Sequence, residues 1–142
     1  MDTAVRYGFG MGMDHLIAAF VERPERAPLA EGVVLEDFGQ CMVYRGRAAV
    51  LAVLSAFFGE GFPDGRMCVE ATLSEKQMVV IAFVFCGRQE RVFLGLPATG
   101  REVAVPMILL FRVTQQCIEH IAWYYDAGTI LRQLGLGVGA VG

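Results

Sequence analysis

Along this chain the spacing of apolar positions changes period. Leu16, Ile17, Phe20 and Val21 recur at helical spacing, with Asp14 ahead as a cap and Pro24 behind as a stop. "RAAVLAVLSAFFGEG" puts Val50, Leu51, Leu54, Phe57 and Phe58 on one face of a second helix, which Gly59, Gly61 and Pro63 end. Between the two, "VVLEDF" (33–38) and "CMVYRG" (41–46) read as short strands. From residue 66 the period falls to two. "RMCVEATL" (66–73), "QMVVIAFVFCGRQERV" (77–92), "REVAVPMILLFRV" (101–113) and "CIEHIAWYYD" (117–126) predict long strands, with short turns such as "SEK" and "TQQ". Ile130, Leu131 and Leu134, with Gly135 behind them, predict a short closing helix. Short turns force antiparallel neighbours. The order therefore predicts an α+β fold with helices on one face of a curved antiparallel sheet.

An antiparallel sheet with one wet face alternates apolar and polar residues, yet Val79 to Phe85 is apolar throughout. One face can pack on the helices and line a cavity; the other needs a cover. A homodimer through the outer sheet face is the expected solution. Residues 1–13 read as a flexible arm, 14–136 as one domain and 137–142 as a flexible tail.

Composition narrows the class. With 142 residues, 55% of them apolar and 19% charged, the chain suits one globular domain. Asp2, Arg6, Asp14 and His15 interrupt any apolar leader, and no apolar run approaches a membrane span, so a soluble cytoplasmic protein is expected. Net charge is −3 and the eleven arginines and single lysine are scattered, which argues against nucleic acid as a partner. Cys41, Cys68, Cys86 and Cys117 are widely spaced and read as buried thiols of a reducing compartment. His15 and His120 stand apart, so neither a metal nor a cofactor is expected. "GFGMG" at 8–12 lacks dinucleotide-loop spacing and a preceding strand, and "LPATG" at 96–100 reads as a Pro-Gly turn.

The candidate chemistry centres on Asp126, at the seam between "WYY" and the closing helix. A helix cap there would hold its pKa down, whereas a dry cavity wall would raise it toward the range of a general base. Parity places Tyr124, Ala122 and His120 on the face of Asp126, with Trp123, Tyr125 and Ile121 opposite. If Asp126 faces the cavity, Tyr124 flanks it and Trp123 packs at the dimer face. Leu16, Phe20, Leu54 and Phe57 then form the apolar wall of a pocket for a small hydrophobic molecule. Asp37 lines the opposite side, or else closes the "EDFG" turn.

"VYRGRAAVLAVLSAFF", "FPD", "LGLPATGREVAV", "FRV" and "YYDAGTILRQLG" together resemble the SnoaL-like polyketide cyclase family, of the nuclear transport factor two superfamily. The resemblance spans about residues 14–136 and implies a cone of curved sheet closed by helices. It also implies an aspartate, matching Asp126, acting as acid/base in an intramolecular aldol closure. The family's histidine after the strand glycine is replaced, since Gly87-Arg88-Gln89 stands here; Gln89 can orient a carbonyl but cannot transfer a proton. The family's Trp-Asn near the end of the first helix becomes Phe20-Val21.

"VVLEDFG" is similar to the ketosteroid isomerase strand whose proton-shuttling aspartate matches Asp37. That family's oxyanion donors, however, fall near the aliphatic Leu16 and Leu109. A third comparison, with limonene-epoxide hydrolases, would use Arg88, Glu90 and Asp126. The expected activity is acid/base chemistry on a hydrophobic carbonyl compound, by cyclisation or isomerisation. The alternatives are a non-catalytic binding module and a water activator of the epoxide hydrolase type.

Overall fold

The computed structural model describes residues 5–6, 11–114 and 117–136. In chain order the elements are β1 (Val5–Arg6), α1 (Met11–Glu22), β2 (Leu29–Asp37), β3 (Met42–Arg45), α2 (Arg47–Ser55), β4 (Arg66–Glu75), β5 (Met78–Arg88), β6 (Glu102–Val113), β7 (Ile118–Tyr124) and α3 (Ala127–Gln133). One sheet runs β1-β4-β5-β6-β7-β2-β3. The meander β4 to β7 is antiparallel, as the short turns require, but β2 lies parallel to β7 and β1 parallel to β4, so the sheet is mixed. Register breaks at Leu29/Val34, Val69/Ala71 and Arg112/Val113 are the bulges that bend such strands.

Several boundaries differ from those expected. α1 begins at Met11, so Asp14 lies within the helix and is not its cap, and the helix crosses the expected edge of the arm. Val5–Arg6, also within the expected arm, form β1, while residues 1–4, 7–10 and the tail 137–142 lie outside the described residues. The second strand of the meander, expected at 77–92, stops at Arg88, and residues 89–101 form a loop.

β5 and β6 alternate strictly. Val79, Ile81, Phe83 and Phe85, with Val103, Val105, Met107, Leu109 and Phe111, face the helices. α2 runs into a π-turn, Ala56–Glu60, with Gly61 N–H bonding Ala56 C=O at 3.2 Å. The wider turn lets the consecutive Phe57 and Phe58 both point inward. Phe57 then sits among six rings: Phe58, Phe62, Phe85, Phe93, Trp123 and Tyr125, with centroids 4.7–6.2 Å away. This cluster fills the space between helices and sheet where an open chamber was expected. Leu16, Phe20, Leu54 and Phe57 are core packing, Phe20 against Phe111 at 4.9 Å, and not the wall of a pocket.

β6 extends past the end of β7, which first pairs at Ile108↔Tyr124. The free edge is taken by α3: Gln133 accepts from Ala104 N–H at 2.7 Å and donates to Ala104 C=O at 3.0 Å, as a neighbouring strand would. Among the described residues no helix is long and apolar enough to cross a membrane.

Candidate functional site

The buried carboxylate of this fold is Asp37, at the end of β2 and 1% exposed. Its Oδ1 accepts from Gln40 N–H at 3.0 Å, and its Oδ2 from Gln40 Nε2 at 3.1 Å and the Tyr125 hydroxyl at 2.9 Å. Gln40 Nε2 also donates to the Tyr125 oxygen at 3.2 Å, closing a triangle. The triangle needs Gly39: a Cβ there would fall 2.3 Å from the Tyr125 ring. Burial, followed by the charge of Asp37, pushes the Tyr125 phenol far above its ordinary pKa, and the same two causes raise Tyr44.

Gln40 and Tyr125 form the polar end of a hollow of about 230 Å³. Its other walls are Phe93, Leu94 and Leu96 of the 89–101 loop and Ala127, Ile130 and Leu131 of α3. A larger cleft, about 520 Å³, lies between the end of α1, the π-turn and the start of β4. Its lining joins Arg23 and Arg66 with Glu22 and Glu25 over Phe58, and holds none of the buried polar triangle. Of these two, the smaller hollow is the one lined by both hydrogen-bond partners of the buried Asp37 carboxylate.

Gln89 builds that pocket without facing it. The side chain is fully buried, and its amide donates to Leu96 C=O (3.2 Å) and Pro97 C=O (3.0 Å). It also accepts from Thr99 N–H (3.1 Å) and the Thr99 hydroxyl (2.8 Å). Both donors and both acceptor sites are used, so Gln89 cannot orient a substrate carbonyl as expected. It fixes the loop that carries Leu94 and Leu96, where paired Phe93–Leu96 backbone bonds close a turn with Leu94 at φ 50°, a left-handed conformation costly for a branched residue. Gln89→Leu is expected to cost ~1–3 kcal/mol, since it leaves buried backbone groups unpaired. Denaturant unfolding checks the cost, and faster amide exchange at Thr99 checks its location.

Asp126 is not at a cavity wall. Its side chain is 68% exposed and caps α3, accepting from Gly128 N–H at 3.1 Å and the Thr129 hydroxyl at 2.9 Å, with Arg132 at 3.4 Å. The Thr129 bond first, then the Gly128 N–H, hold its carboxyl below the ordinary aspartate pKa, which makes it a weaker base. A folded-state pKa below the unfolded one gives stability that is present at neutral pH and lost as pH falls through the folded value. Asp126→Asn keeps a capping acceptor but not the charge, so its thermal midpoint is expected slightly below wild type at pH 7 and converging on wild type in acid; a melting series from pH 7 to pH 3 checks this.

Tyr124 points away from the interior, 43% exposed and stacked on Phe38 at 4.6 Å with planes 4° apart. Trp123, expected at a dimer face, is fully buried. The two parity sets along β7 are as expected; the inward set is the opposite one, because Asp126 does not mark the inside. Arg88 pairs with Glu102 at 2.6 Å and does not join Asp126, Glu90 is exposed, and His120 pairs with Glu36 at 2.7 Å, so the epoxide hydrolase set does not assemble. Among the described residues no group of three or more His, Cys, Asp or Glu side chains could hold a metal.

Taken together, these elements define an α+β fold of helices closing a curved sheet, with a buried carboxylate behind a small apolar pocket. The chain belongs to the SnoaL-like polyketide cyclase family, whose model matches residues 23–134. A search of curated proteins gives no match. Solved structures are similar. One from Jannaschia sp. CCS1, assigned as a SnoaL-like polyketide cyclase, has 20% identity over 90% of this chain and 96% of its own, with TM-score 0.78. IdmH of Streptomyces antibioticus, assigned as a polyketide cyclase, has 25% identity over 89% and 99%, with TM-score 0.68. A protein of Catenulispora acidiphila with a ketosteroid isomerase-like fold, in complex with trimethylamine, has 18% identity over 91% and 95%, with TM-score 0.70.

Proposed function

We propose that this chain is an acid/base enzyme acting on a small hydrophobic carbonyl compound, by aldol-type cyclisation or isomerisation. The observation that carries the reading is the buried Asp37 carboxylate hydrogen-bonded to Tyr125, the residue at the polar end of an otherwise apolar pocket. A pocket polar at one end and apolar elsewhere suits a one- or two-ring molecule with a single oxygen function. Tyr125 is the residue that meets the substrate. Its oxygen takes a proton from the carbon beside the carbonyl as its own proton passes to Asp37, and the return path protonates the product. Gln40, the other polar lining residue, commits both amide hydrogens to Asp37 and the Tyr125 oxygen, and so holds that oxygen in place for the transfer. The test is deuterium exchange at the α-carbon of a small cyclic ketone such as cyclohexanone, followed by NMR in D₂O. Wild type is expected to accelerate exchange and Tyr125→Phe to lose the acceleration. Equal rates with and without the protein would count against the reading.

We propose further that two copies pair through the outer sheet face. Ile108, Tyr124 and Phe38 form an apolar row across β6, β7 and the end of β2, each more than two-fifths exposed, continued by Val43 of β3. A shallow hollow of about 350 Å³ beside Ile108 and Tyr124 gives the partner's row a seat. Light scattering at micromolar concentration is expected to give twice 15.5 kDa, and Ile108→Arg half of that mass. A wild-type mass of one chain would remove the proposal.

A further inference from the structure

The four cysteines are not alike. Cys117 is half-buried and contacts the Thr114 hydroxyl at 3.5 Å, and Cys41 lies in the turn between β2 and β3. The expectation that all four are buried fails for Cys41 and Cys68, which are exposed. Cys68 and Cys86 form a pair. The register of β4 and β5 sets Cys68 opposite Val84 and Arg66 opposite Cys86, which places the two cysteines diagonally on adjacent strands. Residues 66, 68, 84 and 86 share the outer face by the period of two, so both thiols project to the same side.

We propose that Cys68 and Cys86 are a hydroperoxide-sensitive dithiol that closes reversibly to a disulfide within one chain. The reaction balances in two steps. The sulfur of the exposed Cys68 attacks the hydroperoxide, the O–O bond breaks, and Cys68 becomes a sulfenic acid as the corresponding alcohol leaves. The half-buried Cys86 sulfur then attacks Cys68, the S–O bond breaks and water leaves. Two thiols are oxidised and one hydroperoxide is reduced.

The pair is suited to reversal. A diagonal pair on neighbouring strands sits ~7–8 Å apart, just beyond the span of an unstrained disulfide, so the bond forms only as the two strand ends shift toward one another and is readily reduced. Exposed or strained disulfides are the labile ones. Closure also bears on the pocket. Cys86 is three residues ahead of Gln89, which fixes the pocket loop, and Arg88 N–H bonds Asp64 just ahead of β4. A cross-link ties both strand ends together at that point.

The test is to treat the full-length protein with a small excess of hydrogen peroxide and measure intact mass and alkylated peptides. The expected result is loss of two hydrogens per chain and one linked peptide pair, Cys68–Cys86. Cys41 and Cys117 should remain alkylatable, and dithiothreitol should restore four free thiols. Cys86→Ser is expected to trap Cys68 as a sulfenic acid that reacts with dimedone, and Cys68→Ser to leave Cys86 reduced; both conservative variants should keep wild-type circular dichroism. Four free thiols after treatment, a bond between two chains, or equal dimedone labelling in wild type and Cys86→Ser would overturn the proposal.

Discussion

Truncation of Phe57 to alanine is expected to cost ~3–5 kcal/mol, the usual range for deleting a buried aromatic ring. Three features put it at the upper end. The side chain is 2% exposed and touches six other rings, several of them edge-on or tilted, which is the favoured geometry for aromatic pairs. The π-turn holds it rigidly, so the neighbours cannot collapse into the space without moving Phe58 as well. A domain of this size has only ~5–15 kcal/mol in total, so the variant should unfold at a much lower denaturant concentration with little change in slope. Urea unfolding followed by the fluorescence of Trp123, the chain's single tryptophan and a direct neighbour of Phe57 at 4.7 Å, reads this locally.

Asp37→Asn is expected to lower turnover by roughly two to four decades, the range for removing a positioned proton acceptor. The variant keeps the shape of the side chain and an oxygen for Gln40 N–H. It loses the atom that receives the Tyr125 proton, so the phenol, already raised by burial, has nowhere to send it. One structural cost comes with it. An amide at position 37 can turn a donor toward the Tyr125 hydroxyl, and relief requires Gln40 to reorient. Folded-state loss of ~1–3 kcal/mol is expected from that mismatch, so the turnover comparison belongs at a temperature where both proteins are folded. Ligand affinity should change little, because Asp37 itself does not line the pocket.

Much of the fold was legible in the sequence. The switch from helical to alternating spacing after Pro63 marked where the meander begins, but Val79 to Phe85, apolar throughout, did not show which of its faces is inward. The parallel seam between β2 and β7 was not legible, since no local pattern records which strand comes to lie beside a distant one. The site was harder. Asp126 and Asp37 each had a cap or turn reading and a pocket reading, and both were decided by contacts that sequence spacing cannot reveal. Asp126 is surrounded by donors from its own helix, all within six residues. Asp37 meets Tyr125, 88 residues away. Taking Asp126 as the inward marker reversed the reading of β7, turning Trp123 and Tyr125 outward and Tyr124 inward. One local signal was available: Gly39 directly after "EDF", where only a residue without a side chain admits the Tyr125 ring. Gln89 was expected to orient a substrate carbonyl; its four hydrogen bonds to the loop, which leave it no free donor, could not be counted from sequence.

The central claim is that proton transfer runs through Asp37 and Tyr125 and not through Asp126. The most direct measurement compares Asp37→Asn with Asp126→Asn in α-deuterium exchange of the same cyclic ketone, at one pH and with both variants shown to be folded. The expected result is that Asp37→Asn loses the acceleration and Asp126→Asn keeps it, since Asn caps a helix about as well as Asp. Loss in Asp126→Asn with full activity in Asp37→Asn would contradict the account.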